Sequence, residues 1–128
     1  MNIVFVIREL CCGENGIENL FDYNKSYQKL IDLSDDKKYA TLFASMIYGN
    51  TKNTLIELIH DAYNYQTYIK KIKTMLISSG MNNDEAKKTI EIFLEAFAFP
   101  EYRKLDPSKV DTIITVDGDF KTVYIGEV

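Results

Sequence analysis

His60 is the single histidine of the chain, and Glu57 and Asp61 stand three residues before it and one after it. On a helix these three share one face, because positions three and four apart are neighbours there. Two carboxylates around one imidazole could hold a proton in relay. They fall short of a transition-metal set, which wants three or four nitrogen, sulfur or carboxylate donors. The spacing therefore predicts a surface histidine on a helix, not a metal centre.

Cys11 and Cys12 are the other reactive side chains, and they are adjacent. A bridge between neighbours is strained. A cysteine nucleophile needs a base to take its proton, and His60 is the sole candidate. The expected arrangement is Cys11 in the core and Cys12 partly exposed. Asp117-Gly118-Asp119 resembles a fragment of a calcium loop but lacks the further acids and the closing glutamate of an EF-hand. A hairpin turn accounts for it without an ion. No phosphate-binding glycine loop and no nucleophile elbow occurs. No catalytic residue, cofactor or metal is expected, and the chain is not expected to be an enzyme.

Lys70, Lys71 and Lys73 follow Tyr63, Tyr65 and Tyr68, an interleaving that can track a nucleic-acid backbone and stack bases. Tyr65 nevertheless falls on the apolar line of its helix, and the lysines fall opposite. A net charge of −4 also argues against nucleic acid as a partner. The charge is uneven: net −4 over residues 1–36, +3 over 37–104 and −3 over 105–128. Tyrosine is the one compositional excess, nine residues with no tryptophan. It is favoured at protein interfaces for its large area and polar tip. The residues expected to bind a partner are Tyr63, Tyr68, Phe120, Val123 and Tyr124. Glu14, Glu18 and Asp22 form an alternative acidic patch at i, i+4, i+8, provided that residues 14–22 are helical.

The elements that would position these groups are mostly helices. Residues 82–99 are the clearest: Asn82 and Glu85 have capping-box spacing, Ala86, Ile90, Phe93, Leu94 and Phe97 recur at helical period, and Pro100 ends the run. Ile92, Ala96 and Phe99 add a second apolar line, so this helix calls for neighbours on two sides. A helix with Tyr65, Ile69, Ile72 and Leu76 precedes it and stops at Gly80. Earlier helices are expected around Leu20, from Asn24 or Ser26 through Leu33, from the Ser34-Asp35-Asp36 break through Ile47, and from Thr51 or Asn53 through Ala62. Ile3–Ile7 fits either a helix or a buried strand, and the face continuing to Leu10 favours the helix.

Past Pro100 the pattern changes. Residues 101–109 read as a charged linker. Ile113–Val116 and Phe120–Tyr124, joined by Asp117-Gly118, read as a β-hairpin. The predicted fold is thus mostly α, a compact bundle of about five to seven short helices with a C-terminal β-hairpin. The alternative is α+β with the N-terminal run as a third strand. Residues 1–100 form the helical domain and 101–128 the linker and hairpin, one domain overall. At 128 residues the chain is long enough to bury a core without metal or disulfide. The sparse cysteines, the lack of a signal core and the lack of a long apolar run predict a cytoplasmic protein with no membrane partner. An excess of Lys, Asn, Ile and Tyr suggests an AT-rich coding genome.

The stretches IRELCCGENG, QKLIDLSDDKKYATLFASMI, IKKIKTMLISSGM and NNDEAKKTIEIFLEAFAF together resemble a small helical accessory domain that recurs in multidomain bacterial signalling, stress and defence proteins. The resemblance covers about residues 5–99. It implies an interaction or tethering module and carries over no catalytic residue. The expected hairpin and the lack of an attached effector depart from that layout. The expected function is accordingly a non-catalytic protein-interaction module, an adaptor or regulatory subunit in a bacterial or phage setting, whose partner is another protein. The alternative is a small acidic inhibitor of a nucleic-acid-handling enzyme.

Overall fold

A computed structural model describes residues 1–12, 15–61 and 64–97 in full, and the backbone alone of 110–112 and 125–126. Among the described residues there are seven helices: α1 (Ile3–Leu10), α2 (Glu18–Phe21), α3 (Tyr23–Leu33), α4 (Lys37–Tyr48), α5 (Lys52–His60), α6 (Tyr65–Ser78) and α7 (Asn83–Ala96). The two backbone segments, β1 (Val110–Thr112) and β2 (Ile125–Gly126), pair antiparallel with Val110 opposite Gly126. The expected hairpin strands at 113–116 and 120–124, their Asp117-Gly118 turn and the linker at 101–109 lie outside the described residues.

The N-terminal run is a helix, so it supplies no third strand. Its β-branched residues would suit a strand, but the Asn2 side chain accepts from the Val4 N–H at 2.8 Å and starts the helix. Ile3, Val4, Val6, Ile7, Arg8 and Cys11 are then all buried, and that burial outweighs the small helix-propensity cost of β-branching.

The remaining starts are set by short polar side chains. Asp22, not Asn24 or Ser26, caps α3, its carboxylate accepting from the Asn24 N–H at 3.1 Å. Asn24 lies within the first turn. Ser26 is buried, its hydroxyl directed to the carbonyls of Leu20 and Asp22 at 2.8 and 2.9 Å. Asp36 caps α4 by accepting from the Tyr39 N–H at 3.1 Å. Lys37 reaches back across the break and donates to the last carbonyls of α3, Ile31 and Asp32, at 2.7 and 3.0 Å. Helix α6 ends in a Schellman motif: Met81 N–H donates to Leu76 O at 3.2 Å and Gly80 N–H to Ile77 O at 3.1 Å. Gly80 has φ 115°, a conformation that needs the missing Cβ.

Helix α7 is the axis of the bundle. It packs against α6 and α4, as its two apolar lines require, and also against α1. Ala86, Thr89, Ile90, Ile92, Phe93, Leu94 and Ala96 are all buried. The Phe93 ring stands 6.5 Å from that of Phe43 on α4 and 4.8 Å from that of Phe97, centroid to centroid.

The capping box at the head of α7 is complete. Asn82 Oδ1 accepts from Glu85 N–H at 2.8 Å, and Glu85 Oε1 accepts from Asn82 N–H at 3.0 Å. The other Glu85 oxygen faces Lys38 Nζ of α4 at 3.2 Å. The Asn82 N–H, and then Lys38, hold the Glu85 carboxyl below its usual range. A carboxyl whose folded pKa is depressed stabilises the fold above its unfolded pKa and loses that contribution as pH falls through the folded value. Urea midpoints measured from pH 7 down to pH 3 should therefore decline less steeply for Glu85→Gln than for the wild type. Identical slopes would show that the box contributes nothing through its charge.

Candidate functional site

The groups with obvious chemistry do not converge. His60 is the last residue of α5 and is exposed, as is Glu57. Asp61 is drawn into the α5–α6 corner, where its carboxylate accepts from Tyr68 Oη at 3.0 Å and from Asn64 Nδ2 at 3.1 and 3.2 Å. Among the described residues no group of three or more His, Cys, Asp or Glu is arranged to hold a metal ion.

Cys11 is fully buried and its thiol is pushed far up by desolvation. Cys12 is exposed, its thiol also raised, by partial burial and by the Glu9 carboxylate, and it donates to Arg8 O at 3.2 Å. Both shifts disfavour the thiolate, which is the reactive form. The cysteines follow α1, which packs on α7, α3 and α2, whereas His60 ends α5, which packs on α6 and α4. On α6, Tyr65 is buried while Lys70 and Lys71 are exposed and Lys73 is half-buried, an ordinary solvated face.

Tyr68 is half-buried, with its hydroxyl committed to Asp61. That bond raises its phenol above the usual range. Tyr63, Phe120, Val123 and Tyr124 lie outside the described residues, as do Glu14 and Asp117–Asp119.

A different tyrosine group comes together on the surface. Tyr23 and Tyr27, one turn apart on α3, stack at 4.7 Å with their planes 20° apart. Tyr48, from the end of α4, stands edge-on to both, at 5.2 Å from Tyr23 and 6.1 Å from Tyr27. Offset-stacked and edge-to-face contacts are the favoured geometries of aromatic rings, together worth roughly 1–3 kcal/mol in such a trio. The Tyr48 hydroxyl and Ser26 Oγ are hydrogen-bonded to one another. Burial pushes the Tyr48 phenol up, the Ser26 bond draws it partly back, and the nearby Asp22 carboxylate adds to the rise. Tyr48 is thus a fixed, neutral wall. Tyr23 is 54% exposed, which is unusual for so large a ring.

Two of the trio, Tyr23 and Tyr48, border an open cleft of about 700 Å³ whose walls also include Glu18, Asp22, Lys52 and Ile56. The premise of the acidic patch needs correction. Residues 14–22 are not one helix: Gly16 has φ 54° and α2 starts only at Glu18. Asp22 sits in extended backbone as the cap of α3, so no i, i+4, i+8 line exists. Glu18 and Asp22 nonetheless meet on the wall of the tyrosine cleft. A larger groove of about 890 Å³ runs between α1 and α3. Its walls mix aliphatic groups with Lys25, Gln28 and Lys29, and Gln28 is already bonded to Asp32 at 2.9 Å. With no aromatic face among its described residues, that groove offers less to a specific ligand.

The i, i+4 spacing of Tyr23 and Tyr27 was the available sequence signal for the trio. Tyr48 joins only because α3 packs on α4. Comparison of the chain with protein-family models, with curated proteins and with solved structures gives no match. No helix among the described residues is long and apolar enough to cross a membrane.

Proposed function

We propose that the chain is a non-catalytic protein-interaction module, a cytoplasmic adaptor or regulatory subunit of bacterial or phage origin, that docks a protein partner through the tyrosine cleft. The observation that carries this reading is the Tyr23–Tyr27–Tyr48 cluster beside an open cleft. Aromatic rings held rigid before binding lose little entropy when a partner covers them, and tyrosine is enriched at interface hot spots. The resemblance to accessory domains of bacterial signalling and defence proteins supports the same reading. Phe120, Val123 and Tyr124 are proposed as a second docking element that adds to a partner's sheet edge.

Affinity capture from the native cell, quantified by mass spectrometry, tests both elements. A partner recovered with the wild type should fall at least about tenfold with Tyr23→Ala, the loss expected of one hot-spot aromatic. Deleting residues 110–128 should weaken recovery of the same protein. Undiminished recovery with both variants would overturn the reading. The acidic-inhibitor alternative is favoured by one observation, the two carboxylates on the cleft wall. It requires recovery to collapse as salt is raised.

A further inference from the structure

We propose that the tyrosine cleft receives the guanidinium of an arginine carried by a basic segment of the partner, with Tyr23 as its stacking face and the Glu18 and Asp22 carboxylates as its counter-charges. The inference rests on the interaction-module reading and names the chemistry the partner must bring.

Two observations meet at this cleft, and a third comes from elsewhere in the protein. The Tyr23 ring is stacked on Tyr27 over one face and is more than half exposed. An aromatic face carries the negative end of its quadrupole outward and attracts a cation. Second, Glu18 and Asp22 stand on the same wall, and the Asp22 carboxylate lies close enough to the Tyr48 phenol to raise it. Only one Asp22 oxygen is given to the Asn24 N–H, which leaves the other open to a second donor. Third, the protein already shows the chemistry elsewhere: Lys88 Nζ sits 4.2 Å from the centroid of Tyr39.

Arginine fits better than lysine. Its planar guanidinium can lie flat on a ring while its edge donates two parallel bonds to a carboxylate, whereas an ammonium is a strongly hydrated point charge. Among the described residues Lys52 is the one cation on the wall, and it opposes the incoming charge. Its removal is therefore informative.

The test is a titration of the whole ¹⁵N-labelled protein with acetyl-Gly-Arg-Gly-amide, followed by amide shifts, beside the Lys and Glu counterparts of that peptide. The largest shifts are expected around Glu18, Asp22–Asn24 and Tyr48, with the Lys peptide binding at least about threefold more weakly. Asp22→Asn keeps the helix cap, since asparagine caps as well as aspartate. Combined with Glu18→Gln it should weaken arginine binding about tenfold without lowering the urea midpoint. Lys52→Ala should tighten it about threefold, the scale of one exposed charge pair. Equal shifts from the Arg and Lys peptides, shifts spread over the surface, or a preference for the Glu peptide would overturn the proposal. The last result would mark Lys52 as an anion contact. If Tyr23→Ala abolishes partner capture while the arginine peptide causes no shift at the cleft, the arginine assignment falls and the interaction module stands.

Discussion

Phe93→Ala is expected to lower the unfolding free energy by about 3–5 kcal/mol, the cost of deleting a fully buried aromatic side chain and leaving part of its cavity unfilled. Phe93 has no solvent exposure, lies on the helix that contacts α1, α4 and α6, and touches both Phe43 and Phe97 with its ring. The surroundings are constrained on three sides, so little collapse can refill the space. A domain of this size has roughly 5–15 kcal/mol in total, so the variant should be largely unfolded at modest urea. Urea unfolding followed by circular dichroism would measure it. Ile77→Ala is a fitting control, because Ile77 is 43% exposed and its loss should fall within about 0.5 kcal/mol. A loss under about 1.5 kcal/mol for Phe93→Ala would mean that α7 is not the centre of the core.

Arg8→Ala is the second large effect, on the order of 3 kcal/mol. Arg8 is a buried side chain on α1, yet its guanidinium reaches the last turn of α7. Nε donates to Ala96 O at 2.9 Å and Nη2 to Glu95 O at 2.8 Å. These carbonyls are among the last four of α7, where the negative end of its dipole lies. One cation thus ties the last turn of α7 to α1. Arg8→Lys should recover only part of the loss, because a single ammonium cannot reproduce the planar two-pronged geometry. Urea unfolding of the three proteins, with amide exchange in the last turn of α7, would measure it. Equal stability of Arg8→Ala and wild type would remove the clamp from the account.

Arg8 also shows what a sequence conceals. The chain has thirteen lysines and two arginines, so an arginine between Ile7 and Glu9 was a rare choice with a reason behind it. The reason lay 87 and 88 residues away in backbone carbonyls, which no side-chain pattern encodes. Features that depend on neighbours within one turn were legible. The Asn82–Glu85 box, the stop at Gly80 and the break before Lys37 all appear in the structure where their residues predicted them.

Choices among several competent residues were less so. Asp22, Asn24 and Ser26 can all cap a helix, and only the burial of Ser26 beneath Tyr48 shows why Asp22 does it. The third neighbour of α7 was missed because the apolar residues of α1 are β-branched and read equally well as a strand. For the candidate site, Tyr68 was expected to bind a partner and its bond to Asp61 could not be read from the sequence, while the surface trio needed the packing of α3 on α4.

The contact between α1 and α7 ties residue 8 to residue 96. A nascent chain therefore carries its greasy first helix with only α2 and α3 to pack on until α7 is made. Ile3, Val6 and Ile7 leave the ribosome well before α7, on which their helix packs and whose last carbonyls receive Arg8. At roughly 5–20 residues per second, that interval is several seconds of exposed apolar surface. The packing of α1 is completed only once α7 is out, and a chaperone that binds apolar segments would act in that interval.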